Sequence, residues 1–125
     1  MVRNFGEISL FLIGIYVSAQ DQENPVRINT TNFYSFSETA IYVESSSNFE
    51  LRLYDCDIEY NKQGVYLNNG NVTLILQACS MKNSKYGLNV VQNYGLISII
   101  DSYFYENDYG LFINSNKITL LKTHW

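Results

Sequence analysis

Residues 55–69 read DCDIEYNKQGVYLNN, residues 78–92 ACSMKNSKYGLNVVQ and residues 101–115 DSYFYENDYGLFINS. Laid over one another, they share a step of 23 residues. Gly64, Gly87 and Gly110 align, each followed by an apolar residue (Val65, Leu88, Leu111). Cys56, Cys79 and Ser102 align, as do Asn61, Ser84 and Asn107 ahead of each glycine. Working outward, Leu51, Leu74, Ile97 and Leu120 form one further column, and Leu53, Leu76 and Ile99 another. A looser earlier copy carries Val26 and Ile28, then Ala40-Ile41-Tyr42-Val43. A fixed period of this size is weighed before any single element, because it decides the architecture.

Within each copy the apolar residues alternate. Phe49, Leu51 and Leu53 point one way while Glu50, Arg52 and Tyr54 point the other; Cys56 and Ile58 alternate likewise with Asp57 and Glu59. Period two means strands. Each copy is therefore three short strands joined by tight corners. A one-residue slip would turn a strand inside out, so strict register keeps the apolar columns inward. Copies stacked like on like form a solenoid of parallel strands about 4.8 Å apart around an apolar axis. A propeller blade would need about 40 residues per copy, and a leucine-rich repeat a different motif.

The three quoted segments resemble the repeat of the right-handed parallel β-helices, the pectin-lyase-like fold. The resemblance covers residues 26–125 and implies an all-β, right-handed parallel β-helix of about four coils of ~23 residues, three short strands per coil. It specifies function poorly, because one coil type serves lyases, glycosidases and surface proteins alike.

The columns have physical roles. Burying an inward Leu, Ile or Val gives roughly 1.5–3 kcal/mol. The glycine column marks a corner needing positive φ or a close backbone approach. The amides of Asn61 and Asn107 suit corners, where they bond to backbone or to one another. Cys56 and Cys79 fall in one column on adjacent coils. A disulfide is one reading for an exported protein. Two buried thiols, with Ser102 continuing the column, are the other, since parallel neighbours sit at about 4.8 Å and a disulfide prefers β-carbons about 3.5–4.5 Å apart.

The first nineteen residues read as a leader. Ile8 to Ala19 carries no charge, follows Arg3 and ends in Val17-Ser18-Ala19, small residues where a signal peptidase reads. Residues 1–19 are thus expected to be a signal peptide, and residues 20–125 a β-helix domain forming the N-terminal part of a longer repeat protein. The alternatives are a buried first strand or helix and, further, a retained signal anchor. Export fits two N-x-S/T glycosylation acceptors, Asn29 and Asn71. After cleavage no membrane span is expected.

Twelve acidic against eight basic residues leave a net charge of −4, which excludes a nucleic-acid binder held by phosphate contacts. Two cysteines and the single histidine, His124, supply neither a four-ligand zinc site nor a His-based active site. No metal or cofactor is expected. On the outer faces, Asp57 and Glu59 are the only acid pair that suits a glycosidase, and Lys82 is placed to pair with Glu59. Outward tyrosines, Tyr54, Tyr66, Tyr103 and Tyr105 foremost, have the composition of a surface contacting a polysaccharide or a protein partner. The last coil ends without a polar cap, which suggests end-to-end association. Together these features predict a non-catalytic secreted or cell-surface scaffold or adhesion domain. The alternative is a polysaccharide lyase or glycoside hydrolase on the same fold, with Asp57 and Glu59 as its acids.

Overall fold

The computed structural model describes residues 13–19, 25–36, 38–45, 48–113, 118–121 and 123. Among these residues the regular elements are all strands, and they pair in parallel. Ladder A stacks β1 (Ile13–Ala19), β4 (Thr39–Ser45), the first half of β7 (Gln63–Gln77), β9 (Tyr86–Asn93) and β12 (Tyr109–Ile113). Ladder B stacks β2 (Val26–Asn29), β5 (Asn48–Tyr54), the second half of β7, β10 (Ile97–Ile100) and β13 (Ile118–Leu121). Ladder C stacks β3 (Asn32–Tyr34), β6 (Asp57–Glu59), β8 (Ser80–Lys82) and β11 (Tyr103–Tyr105). The chain visits B, C and A in turn, so successive strands of one ladder are a full coil apart.

The expected columns form the core. Leu51, Leu74 and Ile97 stand opposite one another, as do Leu53, Leu76 and Ile99, all fully buried. Ile58, Met81 and Phe104 close the shaft from ladder C. The 23-residue step holds from Leu51 to Ile113 and shifts at both ends. Val26 faces Leu51, an offset of 25, and Ile97 faces Ile118, an offset of 21. Leu120 therefore faces Ile99 rather than continuing the Leu51 column. The A-to-B corner carries the difference: seven steps separate Val90 from Ile97, and five separate Ile113 from Ile118.

Corners turn on residues other than glycine. Thr30, Asp55, Ala78 and Asp101 lead from B to C, and Ser35, Tyr60, Asn83 and Glu106 from C to A, all with φ between 49° and 60°. No described glycine has a positive φ. Of the two reasons expected for the glycine column, close approach is the one that applies. A Cβ on Gly64 would lie 2.5 Å from the Gly87 carbonyl oxygen and 3.1 Å from Met81. The residue after each B-to-C turn braces it. Thr31 and Ser102 donate their hydroxyls to the carbonyls of Asn29 and Ile100, both at 2.9 Å.

Cys56 and Cys79 fill the same brace position as free, buried thiols. The Cys79 thiol donates to the Leu53 carbonyl one coil back at 3.4 Å, and the Thr123 hydroxyl to the Ile99 carbonyl at 3.3 Å. Thr123 thus extends this column. The thiol reading of the two cysteines is the one found. Cys56 is acidified by its hydrogen bond with Cys79, whereas Cys79 is raised by that bond and by burial.

Asn61, Ser84 and Asn107 form a second polar column. Asn61 Oδ1 accepts the Phe36 N–H at 2.8 Å, Ser84 Oγ accepts the Asn61 N–H at 3.1 Å, and Asn107 Oδ1 accepts the Ser84 N–H at 3.0 Å. These side chains cap the backbone of the preceding coil instead of bonding one another. They satisfy buried donors that would otherwise cost about 1–3 kcal/mol each.

Ladder A begins inside the stretch expected as a leader. In β1, Ile15, Tyr16 and Val17 pair with Ile41, Tyr42 and Val43. Ile15 is buried, and Gly14 joins the glycine column, where a Cβ would lie 2.7 Å from the Ala40 carbonyl oxygen. The structure thus draws Ile13–Ala19 as one of the alternatives, a first strand. The rest of that stretch, residues 1–12, lies outside the described residues. No helix among the described residues is long and apolar enough to cross a membrane.

Candidate functional site

Because strands alternate, each ladder shows water one set of side chains, and the three outer faces differ in chemistry. On ladder A the ring of Tyr42 lies 5.1 Å from that of Tyr16 and 5.0 Å from that of Tyr66. The Tyr16 hydroxyl donates to Glu44 at 2.8 Å, and Asn68 donates to the Tyr42 oxygen at 2.9 Å. Further along, Tyr86 and Tyr109 stack at 5.1 Å with Phe112 edge-on. Neighbouring rings one strand spacing apart stack on each other, while Tyr16, Tyr109 and Phe112 stay about half exposed. Tyr66 is half-buried there, and its pKa is raised by burial and by nearby Tyr42 and Glu44.

Ladder C carries the acid pair. Its two outward columns run Asn32, Asp57, Ser80, Tyr103 and Tyr34, Glu59, Lys82, Tyr105. Asp57 and Glu59 project from β6 on one face, as the alternation requires. Each is engaged. The Tyr34 hydroxyl donates to Asp57 Oδ2 at 3.1 Å. Glu59 faces the Lys82 ammonium at 3.7 Å and accepts from Asn83 Nδ2 at 3.4 Å. The expected Glu59–Lys82 pair is present. Lys82 also lies 6.0 Å from the Tyr105 ring centre. Partial burial lowers the Lys82 pKa, but the Asp57 and Glu59 charges more than offset it, so the net shift is upward. Tyr34 is raised by desolvation first, then by its hydrogen bond to Asp57. Among the described residues no three metal-ligating side chains come together.

The four singled-out tyrosines do not share one site. Tyr66 belongs to ladder A, Tyr103 and Tyr105 to ladder C, and Tyr54 ends β5 on ladder B beside the corner into C. Tyr54, Tyr103 and Tyr105 are each about half exposed, at 49%, 50% and 47%. The glycosylation acceptors Asn29 and Asn71 are both exposed. The partner hydroxyl of the first, on Thr31, is buried and bonded to the Asn29 carbonyl.

Over residues 11–123 the chain matches the family model described as a right-handed beta helix region. It belongs to the right-handed β-helix family. No curated protein and no solved structure matches it. The family match agrees with the three parallel ladders and begins two residues before β1. A β-helix offers long outer faces on a rigid shaft, and in this chain the face of ladder C gathers charge and exposed rings together.

Tyr34, Tyr16 and Tyr42 were missed as surface residues from sequence. Tyr34 precedes Glu59 by 25 residues, outside the 23-residue step. Tyr16 sits in Ile13-Gly14-Ile15-Tyr16-Val17, which repeats the pattern of Gln63-Gly64-Val65-Tyr66-Leu67. That match was the available signal.

Proposed function

We propose that this protein is a non-catalytic β-helical scaffold or adhesion domain, exported or displayed at a cell surface, that contacts a polysaccharide or a protein partner through outward tyrosines. One observation chiefly supports this: both acids of β6 have neighbours on them, Tyr34 on Asp57 Oδ2 and Lys82 and Asn83 on Glu59. A retaining or inverting glycosidase needs one carboxylate free to attack or to activate water and the other poised to give up a proton.

Incubation of the purified protein with a polysaccharide panel, read for reducing ends and unsaturated products, tests the reading. No turnover is expected. Turnover abolished by Asp57→Asn would overturn it in favour of a carbohydrate-active enzyme. Export is tested separately by sequencing the N-terminus of protein recovered from its source. A chain beginning at Gln20 supports secretion and leaves β4 as the edge of ladder A. A chain that retains Ile13–Ala19 removes cleavage from the proposal.

A further inference from the structure

Ladder C and its two corners differ from the rest of the surface in charge. Asp55, Asp57, Glu59, Asp101 and Glu106, with Glu38 and Asp108 at the far side of the corner into ladder A, stand there against Lys62, Lys82 and Lys85. The other described charges, Glu44, Glu50, Arg27 and Arg52, cancel, and Glu50 faces Arg52 directly at 2.9 Å. The excess equals the net charge of the whole chain, −4. It lies on the face whose rings, Tyr103 and Tyr105, remain half exposed, with Tyr54 and Tyr60 exposed at its corners. On ladder A the rings of Tyr16, Tyr109 and Phe112 are as exposed, but the outward side chains around them are mostly neutral.

We propose that the outer face of ladder C is a docking surface for a cationic, arginine- or lysine-rich polypeptide segment. Two complementarities select this occupant. Carboxylates attract the partner's positive charge and repel an acidic polysaccharide such as a polyuronate. Exposed phenol rings take a guanidinium or ammonium on their faces, worth about 0.5–1 kcal/mol each at exposed sites. Arginine does both at once, because its planar fork bonds a carboxylate while stacking on a ring. The shaft holds these groups on a fixed parallel lattice, so an extended segment docks without reorganising the face.

The inference rests on the binding-scaffold reading, and the two fail separately. Turnover of a polysaccharide would sink that reading, whereas the following titration judges the inference alone. A fluorescent synthetic peptide of alternating arginine and glycine is titrated by anisotropy against the full chain, with a serine–glycine peptide, an oligogalacturonate and a neutral cello-oligosaccharide as comparisons. Only the arginine peptide is expected to bind, more weakly as salt rises. Asp55→Asn/Asp101→Asn/Glu106→Gln should weaken binding about tenfold. These substitutions leave the strands untouched, and asparagine tolerates the left-handed corners. Neutralising two acids elsewhere, Glu44→Gln/Glu50→Gln, should change it less than about twofold. Tyr103→Ala/Tyr105→Ala should weaken it several-fold at unchanged net charge. Equal losses from both sets of charge variants, no loss from the ring variant, or preference for either glycan would overturn the proposal.

Discussion

The inward and outward columns of this cylinder obey different rules. Inside, Leu51, Leu74 and Ile97 repeat one residue class through three coils, and Gly64, Gly87 and Gly110 one residue. Outside, a single column passes from Asp57 to Ser80 to Tyr103, and its neighbour from Glu59 to Lys82 to Tyr105. The shaft admits one shape per level because like must pack on like. Water makes no such demand, so the outer columns are free to hold a pattern that serves something else. The repeat therefore specifies the fold, and departures from the repeat mark where function is to be sought.

That contrast can be broken at graded cost. The heaviest loss is expected for Gly87→Val. Its Cβ would lie 2.7 Å from the Gly110 carbonyl and 3.0 Å from the Phe104 ring, which should cost about 3 kcal/mol or more in denaturant unfolding. The same residue at exposed Lys85 should cost within about 0.5 kcal/mol. Leu74→Ala should cost about 2–5 kcal/mol by leaving a cavity in the shaft. Asn61→Ala strands the Phe36 N–H and should cost about 1–3 kcal/mol. Asn61→Ser should recover part of this loss, because Ser84 does the same work one coil on.

Outward changes should register far less. Tyr42→Ala removes two ring contacts and should cost about 0.5–1.5 kcal/mol, and Lys82→Gln at most about 1 kcal/mol. The smallest effect is in pH. The pKa values of Lys82 and Tyr34 are raised in the folded state, so their contribution is full at neutral pH and is lost as pH rises past about 10. Thermal melts across that range should show a decline that Lys82→Gln reduces. An outer variant as costly as Leu74→Ala would erase the distinction.

Much of the fold was legible because burial imposes period and class, and the apolar columns carried it from Leu51 to Ile113. Three features were not. The corners turn on residues as unlike as Asp55, Tyr60 and Asp101 in left-handed conformations, because bracing from the next position by Cys56, Asn61 and Ser102 stabilises them. At the ends, coil length changes while column chemistry persists, so a fixed step misplaced Leu120. At Ile13–Ala19 an uncharged apolar strand and a leader look alike in composition, and only the glycine in register with Ala40 and Gly64 separates them. For the candidate face, alternation gave the direction of Asp57, Glu59, Tyr103 and Tyr105 correctly. It gave Lys82 as the partner of Glu59 but not Tyr34 as that of Asp57, because Tyr34 arrives from a coil with a longer step.

The most direct test of the stacked columns is a set of interstrand backbone NOEs on isotopically labelled protein. Leu74 should show parallel-strand contacts to Leu51 on one side and to Ile97 on the other, with Met81 similarly placed between Ile58 and Phe104. Antiparallel contacts from Leu74 to a strand adjacent in sequence, or none to Leu51 and Ile97, would contradict the cylinder and every inward and outward assignment built on it.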